Sequence, residues 1–369
     1  MSSRTGRSRR AYAIAITVLP LISSRRSRPN AVTPEALLHP TPAGLYCAPG
    51  DFYIDPVAPV DRAVITHGHA DHARSGHGSV IATEETLAIM AVRYGEEFTA
   101  RRTALAYGET TNVNGVGLWL APAGHVLGSA QAVIEFGGLR MVVTGDYKRR
   151  RDPTCPAFEV VSCHIFISEA TFALPVFHHP DTGGEVRKLL ASQQQFPERT
   201  HLVGAYALGK AQRVIRHLRE EGYDRPIFIH GALDRLCTLY ESFGVNLSPL
   251  LPATLKDSSG EKTDFSGEIV ICPPAAIQST WARRFPDPVP CFASGWMRIR
   301  QRAKQRGVEL PLIISDHADW GELTDTVEAV DPDELWVTHG REDALIRWAE
   351  LRGRVARPLH LIGYEDDHD

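Results

Sequence analysis

Five short apolar runs, each followed by a side chain that can bind a metal or transfer a proton, constrain this fold more than any other feature of the sequence. The runs are residues 64–66 before His67, 142–145 before Asp146, 165–168 before Glu169, 313–316 before His317 and 336–338 before His339. Short apolar runs bounded by turn residues are typical of buried strands. In layered α/β folds, the carboxyl ends of strands meet at a shared edge where ligand-binding side chains gather. We therefore expect these distant residues to form one site.

The segments between and beyond these runs predict a mixture of strands and helices. Further strand-like runs lie at residues 118–120, 132–134, 202–203, 227–229 and 269–271, and helical patterns lie at 84–93, 184–195, 209–221 and 343–351. Residues 249–267 are rich in Pro, Ser, Asp and Lys, which predicts a loop. The mixture indicates an α/β protein, and the length of 369 residues allows two domains or one large elaborated domain.

The composition excludes several classes of protein. With 43% hydrophobic and 23% charged residues, the chain is neither wholly disordered nor a multi-span membrane protein. The formal net charge of −4 argues against a protein that coats nucleic acid by bulk charge alone. The six cysteines form no CxxC pair, so we expect reduced, buried thiols and a cytoplasmic location.

The first thirty residues need a separate interpretation. They contain seven arginines and no acid, and an apolar stretch at residues 11–22 follows Arg9 and Arg10. The stretch is too short to span a bilayer and lacks a clear cleavage site after it. We expect residues 1–40 to be a basic, disordered extension, with an export signal or a mis-assigned start as the alternatives.

The densest cluster of chemistry is the segment from residue 67 to residue 72, where three imidazoles and one carboxylate occupy six positions. In an extended segment, His67 and His69 point the same way, while Asp71 and His72 turn towards a second position. Such a split set suits two neighbouring cations, and imidazole with carboxylate suits Zn²⁺, Mn²⁺ or Fe²⁺. The alternative is a solvated histidine-rich loop.

This segment resembles the HxHxDH signature of the metallo-β-lactamase superfamily. His125 in an Ala-Gly-His-Val-Leu-Gly-Ser segment and Asp146 in Thr-Gly-Asp-Tyr match later motifs, and Asp55 in Tyr-Ile-Asp-Pro matches the first. By that resemblance, Asp55 supports the ligand loop. The implied ligands are His67, His69, His125 and Asp146 for one metal, and Asp71, His72, Asp146 and His339 for the other. Zinc is the expected metal and manganese the alternative.

The later motifs resemble the β-CASP nuclease branch, in which Glu169, His317 and His339 match motifs A, B and C. The sequence is most similar to bacterial ligase-associated DNA exonucleases, also described as mRNA 3′-end processing-like factors. The resemblance implies an α/β fold: an αββα sandwich (residues 41–171 and 312–369) with an inserted β-CASP cap (residues 172–311).

The resemblance also implies a reaction, the hydrolysis of phosphodiester bonds by a hydroxide that two metals activate. His317 is the expected general acid, Glu169 would keep it protonated, and Asp71 would accept the proton of water. The side chains expected to hold the substrate are Ser129, Lys148, Arg149 and Lys210. Basic residues at alternate positions from 298 to 306 add a further patch.

Several functions remain open on the sequence alone. We favour a DNA exonuclease of 5′ to 3′ polarity in DNA repair or processing, with a DNA ligase and a helicase as pathway partners and no membrane partner. An RNA-processing nuclease is the main alternative, because His339 at motif C resembles the RNA-acting members. A small-molecule metallo-hydrolase and a non-catalytic nucleic-acid-binding scaffold are the remaining alternatives.

Overall fold

A computed structural model describes residues 32–256, 260–285 and 287–361. Residues 1–31, most of the expected extension, lie outside these ranges. The predicted extension nevertheless ends too late, because Leu37 and Leu38 are fully buried against the first sheet. Among the residues described, no helix combines the length and the apolar character needed to cross a bilayer.

The strands form three sheets and are numbered β1 to β19 along the chain. The first sheet has the order β1 to β6, which span Leu38–Thr41, Gly44–Cys47, Phe52–Ile54, Arg62–Val64, His77–Ala82 and Thr99–Ala104. Its first three strands are antiparallel, and the rest of the sheet is parallel.

The second sheet has the order β19-β18-β11-β10-β9-β8-β7. These strands span Thr111–Val113 (β7), Val116–Pro122 (β8), Ala130–Phe136 (β9), Leu139–Val143 (β10), Ile165–Ala170 (β11), Glu334–Gly340 (β18) and Val355–Pro358 (β19). Strands β10, β11 and β18 are parallel neighbours, so their carboxyl ends share one edge of the sheet.

The third sheet is built from the chain between β11 and β18. Its order is β14-β13-β15-β12-β16-β17, and all of its pairs are parallel. The strands span His201–Gly204 (β12), Ile227–Ile229 (β13), Leu250–Pro252 (β14), Ile269–Cys272 (β15), Val289–Ala293 (β16) and Leu310–Leu312 (β17). Whether this sheet is a separate domain with the predicted limits at 172 and 311 stays a prediction.

The helices are numbered in the same way. They span Pro34–Leu37 (α1), Glu84–Tyr94 (α2), Thr182–Gln195 (α3), Lys210–Glu220 (α4), Gly231–Ser242 (α5), Pro274–Ile277 (α6), Arg300–Gln305 (α7), Trp320–Val330 (α8) and Glu342–Glu350 (α9). Local chemistry fixes where α8 begins, because Asp319 accepts from the backbone N–H of Glu322, whose carboxylate accepts from the N–H of Asp319. A capping residue of this kind is worth about 1 kcal/mol.

The core has the layers that the resemblance implies. Buried side chains such as Ile54 and Val64 of the first sheet meet Ile134 and Ile167 of the second in one cluster. Helix α2 covers the outer face of the first sheet, and α8 and α9 cover the outer face of the second. The predicted αββα sandwich is therefore confirmed, since both sheets are apolar on two faces.

All four predicted helices agree with the structure to within two residues at each end, but some strands differ. The apolar run at residues 313–316 is not a strand, because β17 ends at Leu312. The basic residues at 298–306 lie on a short 3₁₀ turn and α7, so they spread round a helix and do not share one face. All six cysteines are free.

Candidate metal centre

Neighbouring strands of the second sheet bring three functional side chains to one edge. Asp146 follows β10, while Glu169 and His339 lie at the ends of β11 and β18. The pairing of β11 with β18 is irregular between Ser168 and Ala170, and His339 has a left-handed backbone with φ of 59°. Bulges and left-handed non-glycine residues of this kind re-aim side chains beside active sites.

Asp55 stabilises the loop that follows β4 through hydrogen bonds. Its Oδ1 accepts from the backbone N–H of Thr66 at 2.7 Å, and its Oδ2 accepts from the Thr66 hydroxyl at 2.6 Å. The same Oδ2 lies 2.8 Å from Nδ1 of His72. A carboxylate at Nδ1 fixes the ring so that Nε2 faces the site. The structure therefore places Asp55 where the predicted supporting role requires it.

One group of possible ligands comprises His67, His69, His125 and Asp146, whose nearest ligand atoms all lie within 4.8 Å of one another. Nε2 of His125 is 2.9 Å from Nδ1 of His69, and Nε2 of His67 is 3.4 Å from Oδ2 of Asp146. Nε2 of His69 lies 3.3 Å from the carbonyl oxygen of Leu208. That contact leaves Nδ1 of His69 as the ligand atom.

A second group lies beside the first. It comprises Asp71, His72 and His339, again with ligand atoms within 4.8 Å of one another. Asp146 stands between the groups, because its Oδ2 is 3.4 Å from Nε2 of His72 and its Oδ1 is 3.0 Å from Nδ1 of His339. The structure thus brings together all seven predicted metal ligands, with Asp146 in the bridging position.

The donor set fits two divalent cations. Nε2 of His67 and both carboxylate oxygens of Asp71 are buried without a hydrogen bond in the described part of the chain. Burying such groups is unfavourable unless a partner compensates for the lost water. Burial also lowers the pKa of His67 to about 4, so the ring is neutral and able to bind a metal. Burial opposes the ionised form of Asp146, but the surrounding imidazoles, His72 foremost, hold the pKa of its carboxyl well below the usual range.

A carboxylate–imidazole pair adjoins these ligands. Nδ1 of His317 lies 3.0 Å from Oε2 and 3.2 Å from Oε1 of Glu169, and Oε1 also accepts from the N–H of Tyr147 at 2.8 Å. Burial alone would lower the pKa of His317. The negative charges of Glu169 and then Asp146 outweigh burial and raise that pKa to about 10. His317 is therefore protonated at neutral pH, with Nε2 available to donate.

Buried charged side chains connect α4, which packs on the third sheet, to the metal centre. Nζ of Lys210 lies 2.6 Å from Oδ1 of Asp316, and the Arg213 guanidinium binds Asp152 and donates to the carbonyl oxygen of His125 at 2.7 Å. Nδ1 of His125 lies 2.9 Å from the carbonyl oxygen of Asp316. These contacts orient His125 and fix the loop that carries His317.

The predicted substrate contacts have other partners. Lys148 is 3% exposed with its ammonium 3.8 Å from Glu322, and Lys210 is 1% exposed on Asp316. Ser129 accepts from the backbone N–H groups of His125 and Val126. The Arg149 guanidinium stacks on Phe158 at 5.3 Å. These placements favour structural roles for Lys148, Lys210, Ser129 and Arg149 over the phosphate contacts that we expected.

Sequence reasoning missed three residues of the centre. Arg93 donates to the carbonyl oxygen of Gly68 at 2.6 Å and lines the cavity that His69 and His317 also line. Thr66 connects Asp55 to His67, and Arg213 holds the His125 loop. The position of Thr66, directly before the ligand motif, could have indicated its role. Arg93 lies near the end of an ordinary amphipathic helix, and nothing in the sequence indicates its role.

Comparisons with known proteins agree with this geometry. Residues 55–198 match the sequence model of a family described as the metallo-beta-lactamase superfamily. A protein of Opitutus terrae named probable DNA ligase is 28% identical over 321 residues, which cover 83% of this chain and 30% of that protein. Cleavage and polyadenylation specificity factor subunit 3-I of Arabidopsis thaliana is 23% identical over 394 residues, covering 84% of this chain and 55% of its own length.

Two further comparisons are with a relative that matches a smaller share of this chain and with a solved structure. Endoribonuclease YSH1 of Saccharomyces cerevisiae is 28% identical over 316 residues, covering 68% of this chain and 40% of that protein. The chain thus spans between 30% and 55% of the length of these three curated relatives. A crystal structure of a protein of unknown function from Enterococcus faecalis superposes with a TM-score of 0.51 at 12% identity, covering 76% of this chain and 75% of that one, which supports the fold alone.

Proposed function

We propose that the chain, whose residues 55–198 match the metallo-β-lactamase superfamily, is an exonuclease that hydrolyses phosphodiester bonds in DNA. One observation carries the proposal: Asp146 stands between two ligand groups, which lie beside the protonated His317–Glu169 pair. Two divalent cations, zinc being the expected species, would supply Lewis acidity and an acidified water at such a centre.

The side chains of the protein perform the rest of the reaction. His317 holds a proton at Nε2 for the departing oxygen of the substrate, and Glu169 stabilises the imidazolium through Nδ1. Asp71 has carboxylate oxygens without hydrogen bonds in the described part of the chain, so it can hold a ligand or accept a proton. Asp55 keeps His72 in one orientation throughout.

The relatives support the choice of substrate in different ways. A match over 83% of this chain to a protein named probable DNA ligase favours DNA and a role in DNA repair or processing. RNA is the second candidate, because His339 occupies the third β-CASP motif and several relatives are named endoribonucleases. The proposed polarity is 5′ to 3′.

The deciding experiment uses end-labelled DNA and RNA of identical sequence, as single strands and duplexes, with the zinc- or manganese-loaded protein. We expect metal-dependent loss of terminal nucleotides from DNA, with a ladder that starts at the 5′ end. Degradation of RNA alone under matched conditions would contradict the proposal and support the second candidate. His317→Ala serves as the control, since it should retain metal while losing most turnover.

A further inference from the structure

The third sheet carries a second cavity that the proposed reaction does not use. Its volume is about 540 Å³, and its walls are mainly apolar. The residues that shape it are Tyr206, Ala207, Pro274, Ile277, Phe292 and Arg306. A pocket of this size, apolar with few polar groups, is typical of sites for small organic groups.

The cavity lies where the topology of the third sheet opens a crevice. Strands β12 and β15 are parallel neighbours, but the chain leaves them towards opposite faces. After β12 it enters α4, whose Val214 packs in the cluster with α3 and α5, while after β15 it reaches Trp281 and Phe285 in the cluster on the other face. In open parallel sheets, ligands bind in the crevice at such a switch point, beyond the carboxyl ends of the strands.

This cavity adjoins a smaller one beside the metal centre. A smaller cavity of about 260 Å³ is lined by His69 and His317, and Tyr206 and Ala207 line both. Tyr206 and Ala207, which follow β12, therefore separate the two cavities by a single shared wall.

The walls have the chemistry that stacks on a nucleobase. The Arg306 guanidinium lies over the Phe292 ring at 4.9 Å from its centroid. Nearby, Arg302 lies 3.9 Å from the centroid of Trp296. Aromatic rings and guanidinium planes are the groups on which unpaired bases stack. Exposed Arg298, Arg300 and Lys304 add positive charge that suits a phosphate backbone.

We propose that this cavity binds one unpaired nucleobase of the substrate strand, a few nucleotides from the phosphodiester at the metal centre. The proposal rests on the proposed function, and it assigns the basic residues of α7 and its flanks to the backbone beside that base. The cavity would thereby favour single-stranded substrate, because a base within a duplex cannot enter it.

The test measures binding in the non-cleaving His317→Ala protein loaded with zinc. Single-stranded DNA oligonucleotides carry one abasic site at successive positions from the 5′ end, and fluorescence anisotropy gives each Kd. We expect the Kd to rise about tenfold at one position and to change little elsewhere, as for the loss of one stacked base. Ala275 is an exposed residue that also lines the cavity, so Ala275→Trp should fill it. Ala275→Trp and Arg306→Ala should each remove that positional penalty.

Matched control variants distinguish base binding in the cavity from a general attraction between positive charge and the phosphate backbone. Lys304→Ala should weaken all oligonucleotides equally and keep the penalty, and Ala275→Ser should behave like the parent protein. Melting temperatures within a few degrees of the parent show that each variant is folded. A flat profile, or a penalty that survives both Ala275→Trp and Arg306→Ala, overturns the proposal. If the wild-type protein cleaves normally but the Kd does not depend on the position of the abasic site, only the base-binding role of the cavity is rejected. If the protein cleaves neither DNA nor RNA, the proposed function is rejected.

Discussion

Glu169 contributes most to keeping His317 protonated, and it therefore has the largest effect on the pH range in which the proposed acid can work. The neighbouring carboxylates overcome burial and raise the pKa of His317 to about 10. A group whose pKa is raised in this way stays protonated below that value and loses its proton as the pH rises through it. With Glu169 in place, the acid therefore stays protonated well above neutral pH.

Replacing Glu169 by Gln removes the negative charge and keeps the shape. We expect the pKa of His317 to fall, so that the alkaline limb of the kcat/KM profile moves towards neutral pH and turnover at pH 8 drops about 10²-fold, the usual scale for lost acid–base catalysis. Rates from pH 5 to 10 check this, with metal content measured in parallel. An unchanged alkaline limb with full metal content would show that Glu169 does not set this pKa.

Asp55 is a second residue that acts through a neighbour, because it orients the candidate metal ligand His72. It has a left-handed backbone with φ of 43°, a conformation that Asn also tolerates, so Asp55→Asn isolates the charge. We expect metal affinity to fall about 10- to 100-fold because His72 loses its carboxylate partner. Competition with a chelator measures the affinity. Equal affinity in both proteins would restrict Asp55 to holding the loop through Thr66.

The residue scale also shows what a sequence can reveal. The ligands His67, His69, Asp71 and His72 could be predicted because four coordinating groups in six positions have no plausible packing role. Lys148 and Lys210 could not be placed, because a basic residue beside a motif looks the same whether it faces solvent or a buried carboxylate. Their burial depends on Glu322 and Asp316, which lie more than a hundred residues away in sequence.

At the scale of elements, the irregular pairing of β11 with β18 aims Glu169 and His339 into the centre. Gly340 makes that close approach possible: a Cβ there would lie 2.3 Å from the carbonyl oxygen of Ala170, and its φ is 119°. The strands themselves could be predicted from their apolar runs, but the irregularity could not, since it depends on register between segments that the third sheet separates.

Gly340→Ala tests this arrangement. The methyl group must displace the β11 backbone, so we expect His339 to move, bound metal to fall from about two ions towards one, and stability to drop by about 2–4 kcal/mol, the scale of an overpacked and strained site. Elemental analysis and thermal unfolding measure both effects. Gly353→Ala is the control, because Gly353 also has a positive φ, 74°, but open space around it. Equal metal content in both variants would contradict the role of Gly340.

At the scale of the whole molecule, the third sheet is tied to the metal centre by buried charges. Arg213 and Asp152 are each 1% exposed at their side chains, and Arg213 also supports the His125 loop. Removing one member of a buried pair typically costs about 3–5 kcal/mol, because the other charge is left without a partner. The mixture of strands and helices predicted an α/β protein, and the family resemblance implied the sandwich and the inserted segment. This network could not be predicted, because it depends on long-range packing.

We expect Arg213→Met to destabilise the protein by about that amount and to weaken metal binding through His125. The double variant Arg213→Met with Asp152→Asn should recover part of the stability, since no buried charge then lacks its partner. Urea unfolding provides the comparison. If the double variant is no more stable than Arg213→Met alone, the loss arises from the packing of the side chain and not from the ion pair.

The insertion between β11 and β18 has a consequence for how the protein is made. Glu169 lies one residue before the end of β11, and His317 and His339 follow after the third sheet is complete. A ribosome therefore releases the ligand loop at residues 67–72 long before the proposed acid and the last ligand exist. In the proposed mechanism, a nascent chain would carry most of the candidate ligands before it has the acid, and cleavage would begin only when the C-terminal strands close the sheet.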